Sequence, residues 1–133
     1  MRILQHGALQ LRKVLTISDP PLSTSGVARQ SRLVIESLLE TSKYEVISMA
    51  CAIDHSSYSP YKTQKYGDSW RIFPTKGFED LELLRSLIKT EEPDALWLMG
   101  DPRFFEKVWS IDSEIRPEIP IVYYHVWDNY PYP

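Results

Sequence analysis

Between Lys13 and Leu39 an apolar stretch carrying Val14, Leu15 and Ile17 passes through Ser18-Asp19-Pro20-Pro21-Leu22-Ser23-Thr24-Ser25-Gly26 into a segment of helical periodicity. The rest of the chain reads as built against this strand, loop and helix. Val27, Ser31, Val34 and Leu38 fall on one stripe and Ala28, Ile35 and Leu39 on its neighbour, the 3.6-residue period of a helix buried on one side. Arg29, Arg32, Glu36 and Glu40 occupy the opposite face. Ser23, Thr24 and Ser25 supply capping oxygens, and Gly26 is read as letting the backbone bend where a side chain would interfere. Unpaired N–H groups and the positive dipole end then face the loop, as at an anion site. Neither Gly-x-Gly-x-x-Gly nor Gly-Lys-Ser/Thr is present, so Gly26 either meets a ligand or only eases the turn. Arg29 and Arg32 near the positive helix end suit an anionic ligand, and equally a solvated face.

The rest of the chain continues the alternation. Residues 1–12, with Ile3, Leu4, Leu9 and Leu11, form an extension, either an extra edge segment or a loose start. A second strand is expected over 44–52, and 55–69 reads as a long polar loop. In that loop Tyr58, Tyr61 and Tyr66 either offer a stacking surface for a ring or pin the loop to the domain. A short strand over 70–74 precedes an amphipathic helix from Asp80 to about Glu91, with Leu81, Leu84 and Ile88 on one stripe, Leu83 and Leu87 beside it, and Pro93 as its stop. Strand 94–100 leads to a helix from Arg103 to about Ile115, its buried stripe Phe104, Val108 and Ile111 with Phe105 and Trp109 beside them. Ile121 to Val126 is the fifth strand. The expectation is an α/β fold, a Rossmann-like doubly wound parallel sheet of about five strands in order 3-2-1-4-5.

Composition narrows the partners. Of 133 residues 43% are hydrophobic and 25% charged, with a net charge of −3 and no basic stripe, which argues against broad nucleic-acid binding. The single cysteine, Cys51, excludes an internal disulfide and a cysteine-rich zinc site, fits a reducing compartment, and reads as a small buried hydrophobe. No apolar run reaches the length of a membrane span, so a cytoplasmic location is expected.

In such sheets ligands collect beyond the C-terminal strand ends. Three loops arrive there: Ser18 to Gly26, Gly100-Asp101-Pro102, and His125 to Pro133. His125 at a strand end, followed by Trp127, Asp128 and Asn129, sets an imidazole and a carboxylate close to one crevice, a pairing able to position a hydroxyl or take its proton. The alternative is that His125 only packs and Asp128 caps a turn. His6 and His55 read as surface residues.

The segments Val14-Leu15-Thr16-Ile17-Ser18-Asp19, Ser25-Gly26-Val27-Ala28-Arg29, Pro93-Asp94-Ala95-Leu96-Trp97 and Pro120-Ile121-Val122-Tyr123-Tyr124-His125-Val126-Trp127-Asp128-Asn129-Tyr130-Pro131 together resemble the N-terminal half of a GT-B glycosyltransferase similar to glycosyltransferase family 4. The resemblance implies a first, acceptor-side domain over 13–133 whose donor-side partner would follow in the same chain or come as a second chain. It implies hexosyl transfer from a nucleotide-sugar co-substrate to an acceptor, without a bound metal or other cofactor. Gly26 corresponds to the family's glycine near the donor phosphate, and His125 to a histidine near the reacting sugar. Asp128 has no firm family equivalent and is carried with His125 as a catalytic candidate. Ser25, Gly26, Arg29 and Asp101 are the candidates for substrate or phosphate contact. The family's Glu-x7-Glu element lies beyond Pro133, so the chain is expected to be inactive alone: a truncation, a split product or a binding remnant. On that side Trp127, Tyr130 and Tyr132 are expected to stand unpaired. The competing reading is a standalone Rossmann-like module that binds a nucleotide or a protein without catalysis. A receiver-like signalling domain is disfavoured, because Asp19 is a single acid followed by two prolines and His125 stands where a lysine would be wanted.

Overall fold

Five consecutive residues of the first strand, Val14 to Ser18, are buried, so a strand made of them must lie inside a sheet covered on both faces. The computed structural model describes residues 10–78 and 80–126, and there β1 (Arg12–Ser18) is central, paired in parallel with β2 (Tyr44–Ala50) on one side and β5 (Ala95–Gly100) on the other. β4 (Trp70–Pro74) lies parallel beyond β2, and β6 (Ile121–His125) parallel beyond β5. These five strands stand in the order read from the sequence. A sixth, β3 (Tyr61–Lys62), pairs antiparallel with β4 at the edge, inside the stretch read as a loop. Two residues are too few to show a period of two, so alternation could not reveal it.

α1 (Gly26–Glu40) covers one face, its Ile35 and Leu39 against Val46, Ala50, Trp70 and Ile72. The buried row is Ala28, Ser31, Ile35 and Leu39, while Val27, Val34 and Leu38 are half-buried on its flank. Small residues at 28 and 31 let the helix approach β1 closely enough for Ser18 and Ser31 to share a hydrogen bond of 2.7 Å. α2 (Leu81–Glu91) lies on the other face, opened by Asp80 accepting from the Leu83 N–H and closed by Glu92 in the left-handed region before Pro93. With it lie α3 (Glu106–Ser110) and α4 (Asp112–Ile115), and these helices bury Leu84, Leu87, Phe105, Val108, Ile111 and Ile115 against Leu15, Ile17, Ile47, Met49, Leu96 and Leu98. Each such aliphatic side chain contributes roughly 1.5–3 kcal/mol.

The helix expected over 103–115 is not continuous. It opens as a tight 3₁₀ turn over Pro102–Phe105 and breaks at Ile111. The tighter turn rotates the phase, so Phe105 enters the core and Phe104, expected in the buried stripe, is 48% exposed and stacks on Phe78 at 4.9 Å. In the polar loop Tyr61 and Tyr66 pack against the α1-side core, and Tyr66 donates to Glu40 at 2.6 Å, so these two rings pin the loop. Among the described residues no helix is long and apolar enough to cross a membrane.

Candidate functional site

The ends of the central strands fix what can meet above them. Register aligns Ile17 with Met49 and Leu98, and Leu98 with Tyr123, so one step further Ser18 and Tyr124, then Asp19 and His125, lie at matching heights. β1 and β6 are two strands apart, about 10 Å at the usual spacing. The α1 entrance and His125 therefore border one end of the sheet.

Ser25 is the N-cap of α1, its Oγ accepting from the Ala28 N–H at 3.0 Å and donating to Asp19 Oδ2 at 2.7 Å. The carboxylate thus ties the loop to the cap. Gly26 is the first helical residue and its backbone avoids the left-handed region. A Cβ built on it meets nothing within 4 Å, so the bend expected to need glycine does not need it. Open space lies over this position instead. Arg29 is exposed one turn into the helix, whereas Arg32 is held by Glu36 at 3.0 Å.

Asp101 caps the 3₁₀ turn, accepting from the Arg103 N–H at 2.8 Å and from its guanidinium at 2.9 Å. That guanidinium holds the carboxyl below the usual carboxylate range, with a smaller contribution from His125, which is registered against Gly100, the residue before Asp101. His125 is exposed beside Tyr123, ring centroids 5.6 Å apart. Tyr123 donates to the Gly100 carbonyl at 2.7 Å, and burial pushes its phenol up to about 12. Asp128, like Trp127, Tyr130 and Tyr132, lies outside the described residues.

The candidate residues thus divide. The structure brings Ser25 and Gly26 to the loop end of α1 and Asp101 and His125 to the ends of β5 and β6, whereas Arg29 points outward from the helix. Sequence reasoning missed His55. It is half-buried rather than a surface residue, its Nε2 lies 3.0 Å from the Ala50 carbonyl at the end of β2, and its ring meets Tyr58 edge-on at 5.4 Å. The signal available was its place just after an apolar strand. Cys51 is fully buried with its thiol pushed up to about 12 by burial, an inert core residue as read.

Two clefts, of about 430 and 400 Å³, open at the opposite, N-terminal strand ends. The larger has a floor of Ile88, Ile111, Ile115 and Ile119 and a rim bridged by Arg85 and Glu114 at 2.9 Å. Strand-end geometry rather than cleft volume marks the site, because at the C-terminal ends polar groups from separate loops converge. Among the described residues no three His, Cys, Asp or Glu side chains assemble as a metal site would require. The fold is α/β and Rossmann-like. No family model, curated protein or solved structure matches the chain.

Proposed function

We propose that the chain is the acceptor-side half of a GT-B glycosyltransferase, acting with a donor-side half to move a hexosyl group from a nucleotide-sugar to an acceptor. The observation that carries this reading is the matching height of the Asp19-to-Gly26 loop and His125, two strands apart on a parallel sheet. A helix N-terminus at one side of that gap offers N–H groups and a positive dipole end to a phosphate. At the other side an exposed imidazole beside Asp101 can hydrogen-bond a sugar hydroxyl. A span of about 10 Å suits a sugar bearing one phosphate. Open space over Gly26 fits the same reading, since the fold gives glycine no steric advantage there.

Titrating the ¹⁵N-labelled chain with a hexose 1-phosphate tests the binding geometry. Amide shifts at Ser25 to Arg29 together with shifts at Asp101 and His125 are the expected result; saturation elsewhere, or none, overturns it. In the enzyme bearing both halves, His125→Ala lowers turnover roughly 100-fold with the fold retained by circular dichroism. Unchanged turnover assigns His125 to packing. The competing reading, a module that binds without catalysis, is favoured by the clefts at the other end of the sheet. Hexose phosphate shifts confined to residues 85–94 and 111–119 select it.

A further inference from the structure

The loop that leaves β2 carries a histidine and a tyrosine that the site described above does not use. Ala52, at φ +76°, turns the chain out of the strand through the left-handed region, and three residues on, the His55 ring returns to the strand end. There Nε2 lies 3.0 Å from the Ala50 carbonyl, which also accepts from the Thr75 N–H at 2.9 Å. A carbonyl oxygen only accepts, so Nε2 carries the proton and donates it. In the neutral ring this fixes Nδ1 as an acceptor, and Nδ1 has no hydrogen-bond partner among the described residues. Tyr58 meets the same imidazole edge-on at 5.4 Å, its hydroxyl 3.4 Å from the His55 N–H. Of the three tyrosines in this stretch, Tyr61 and Tyr66 pack against the core, whereas Tyr58 joins no core cluster and is 46% exposed. The pair is also well placed. Ala50 is registered against Ser18, and the Cys51 N–H donates to the Ser18 carbonyl at 2.9 Å, so the end of β2 adjoins the strand that feeds the α1 entrance, about 5 Å away and on the side opposite β6.

We propose that His55 and Tyr58 form a subsite for a neutral saccharide, in which Nδ1 accepts from a sugar hydroxyl and the Tyr58 ring takes the C–H face of the same sugar. An acceptor nitrogen needs a donor on the ligand, which a hydroxyl supplies and a fully ionised phosphate does not. Residues 44–61 contain no lysine or arginine, and Asp54 precedes the histidine, so the loop offers an anion no countercharge. The weakly positive C–H groups of a pyranose suit the negative face of an aromatic ring, and tyrosine presents that face with little rotamer entropy to lose. One polar group beside one aromatic surface is the usual composition of a small-molecule subsite. This names the substrate class on the acceptor side, and it rests on the transferase reading for the sugar's role as acceptor.

Titrating the ¹⁵N-labelled chain with the methyl glycosides of glucose, galactose and mannose reads the subsite without a phosphate. Saturating amide shifts centred on residues 53–58 with at least one of them, and a shift of the His55 Nδ1 resonance, are the expected result. His55→Gln sets a side-chain N–H in the place of Nε2–H and removes the Nδ1 acceptor, so it weakens binding about tenfold while thermal unfolding matches the parent chain. Tyr58→Leu, at an exposed position, removes the flat face and weakens binding several-fold, whereas Tyr58→Phe keeps it. No shift at 53–58 with any of the three glycosides, equal affinity in the parent and His55→Gln, or shifts there with uracil alone each overturns the proposal. Glycoside shifts at 53–58 with no hexose 1-phosphate shifts at Ser25 to Arg29 support the subsite and remove the transferase reading; the reverse pattern removes the subsite alone.

Discussion

Gly26 and Gly100 are both glycines at the junction of a strand or helix with a loop, yet their surroundings place opposite demands on them. Gly100 has φ +150°, a Cβ there would lie 3.2 Å from the Phe105 ring, and its carbonyl accepts from Tyr123 and from the Val126 N–H. Gly100→Ala is therefore expected to cost about 1–3 kcal/mol through strain and displacement of Phe105. Gly26→Ala has room and an ordinary helical backbone, and restricting the unfolded chain makes it neutral or stabilising by about 0.5 kcal/mol. Urea unfolding of the two variants checks both signs, and equal losses would show that the surroundings described do not decide them. Neither contrast was legible in the sequence. The sequence offers Gly26 as either a ligand-contacting or a turn-easing residue and Gly100 only as a loop residue, because a glycine's φ and its distance to a ring twenty-two or even five residues away are properties of the assembled backbone.

At the scale of elements, α1 and β4 are locked to the sheet by buried polar groups as well as by apolar area. Trp70 is fully buried and its Nε1–H donates to Ser48 Oγ at 2.9 Å, while Thr16 Oγ1 donates to the same oxygen at 2.8 Å. Ser48→Ala leaves both donors without that acceptor and is expected to destabilise by about 1–3 kcal/mol. Adding Trp70→Phe to that variant removes one orphaned group, so the pair of substitutions should cost less than the sum of the two singles; strict additivity in thermal unfolding would show that the bond contributes nothing. The strands and α1 were legible because apolar runs and helical stripes are local signals. The 3₁₀ opening ahead of α3 was not, because Phe105 turns into the core there to meet Phe78 and Tyr123 from distant segments.

The molecule as a whole is clamped at the N-terminal strand ends by Glu91, which accepts from Arg71 at 2.6 and 2.7 Å and from Lys13 at 3.0 Å, with Glu45 also reaching Lys13 at 3.2 Å. These contacts join the end of α2 to β1, β2 and β4. The Arg71 fork, then Lys13, holds the Glu91 carboxyl at about 2 against an ordinary 4.5. A depressed carboxyl contributes stability that is fully present above about pH 5 and lost as pH falls toward the folded-state value. Glu91→Gln is accordingly expected to lower stability at neutral pH by about 1 kcal/mol once solvent screening is discounted, and to flatten the loss between about pH 5 and pH 2. Urea midpoints of both chains across that range measure the gap, and a constant gap would remove Glu91 from the acid response. By itself the sequence determined the parallel α/β sheet, the order of its five long strands, the opening of α1 in the loop of Ser23, Thr24 and Ser25 and the inert burial of Cys51, since hydrophobic period, caps and crossover handedness act over short spans. Only the tertiary structure decided that Gly26 needs no glycine for its own conformation, that His55 bonds the end of β2, that Asp101 is held by Arg103 beside His125, and that the short β3 pairs antiparallel with β4, because each is a meeting between segments that no local pattern records.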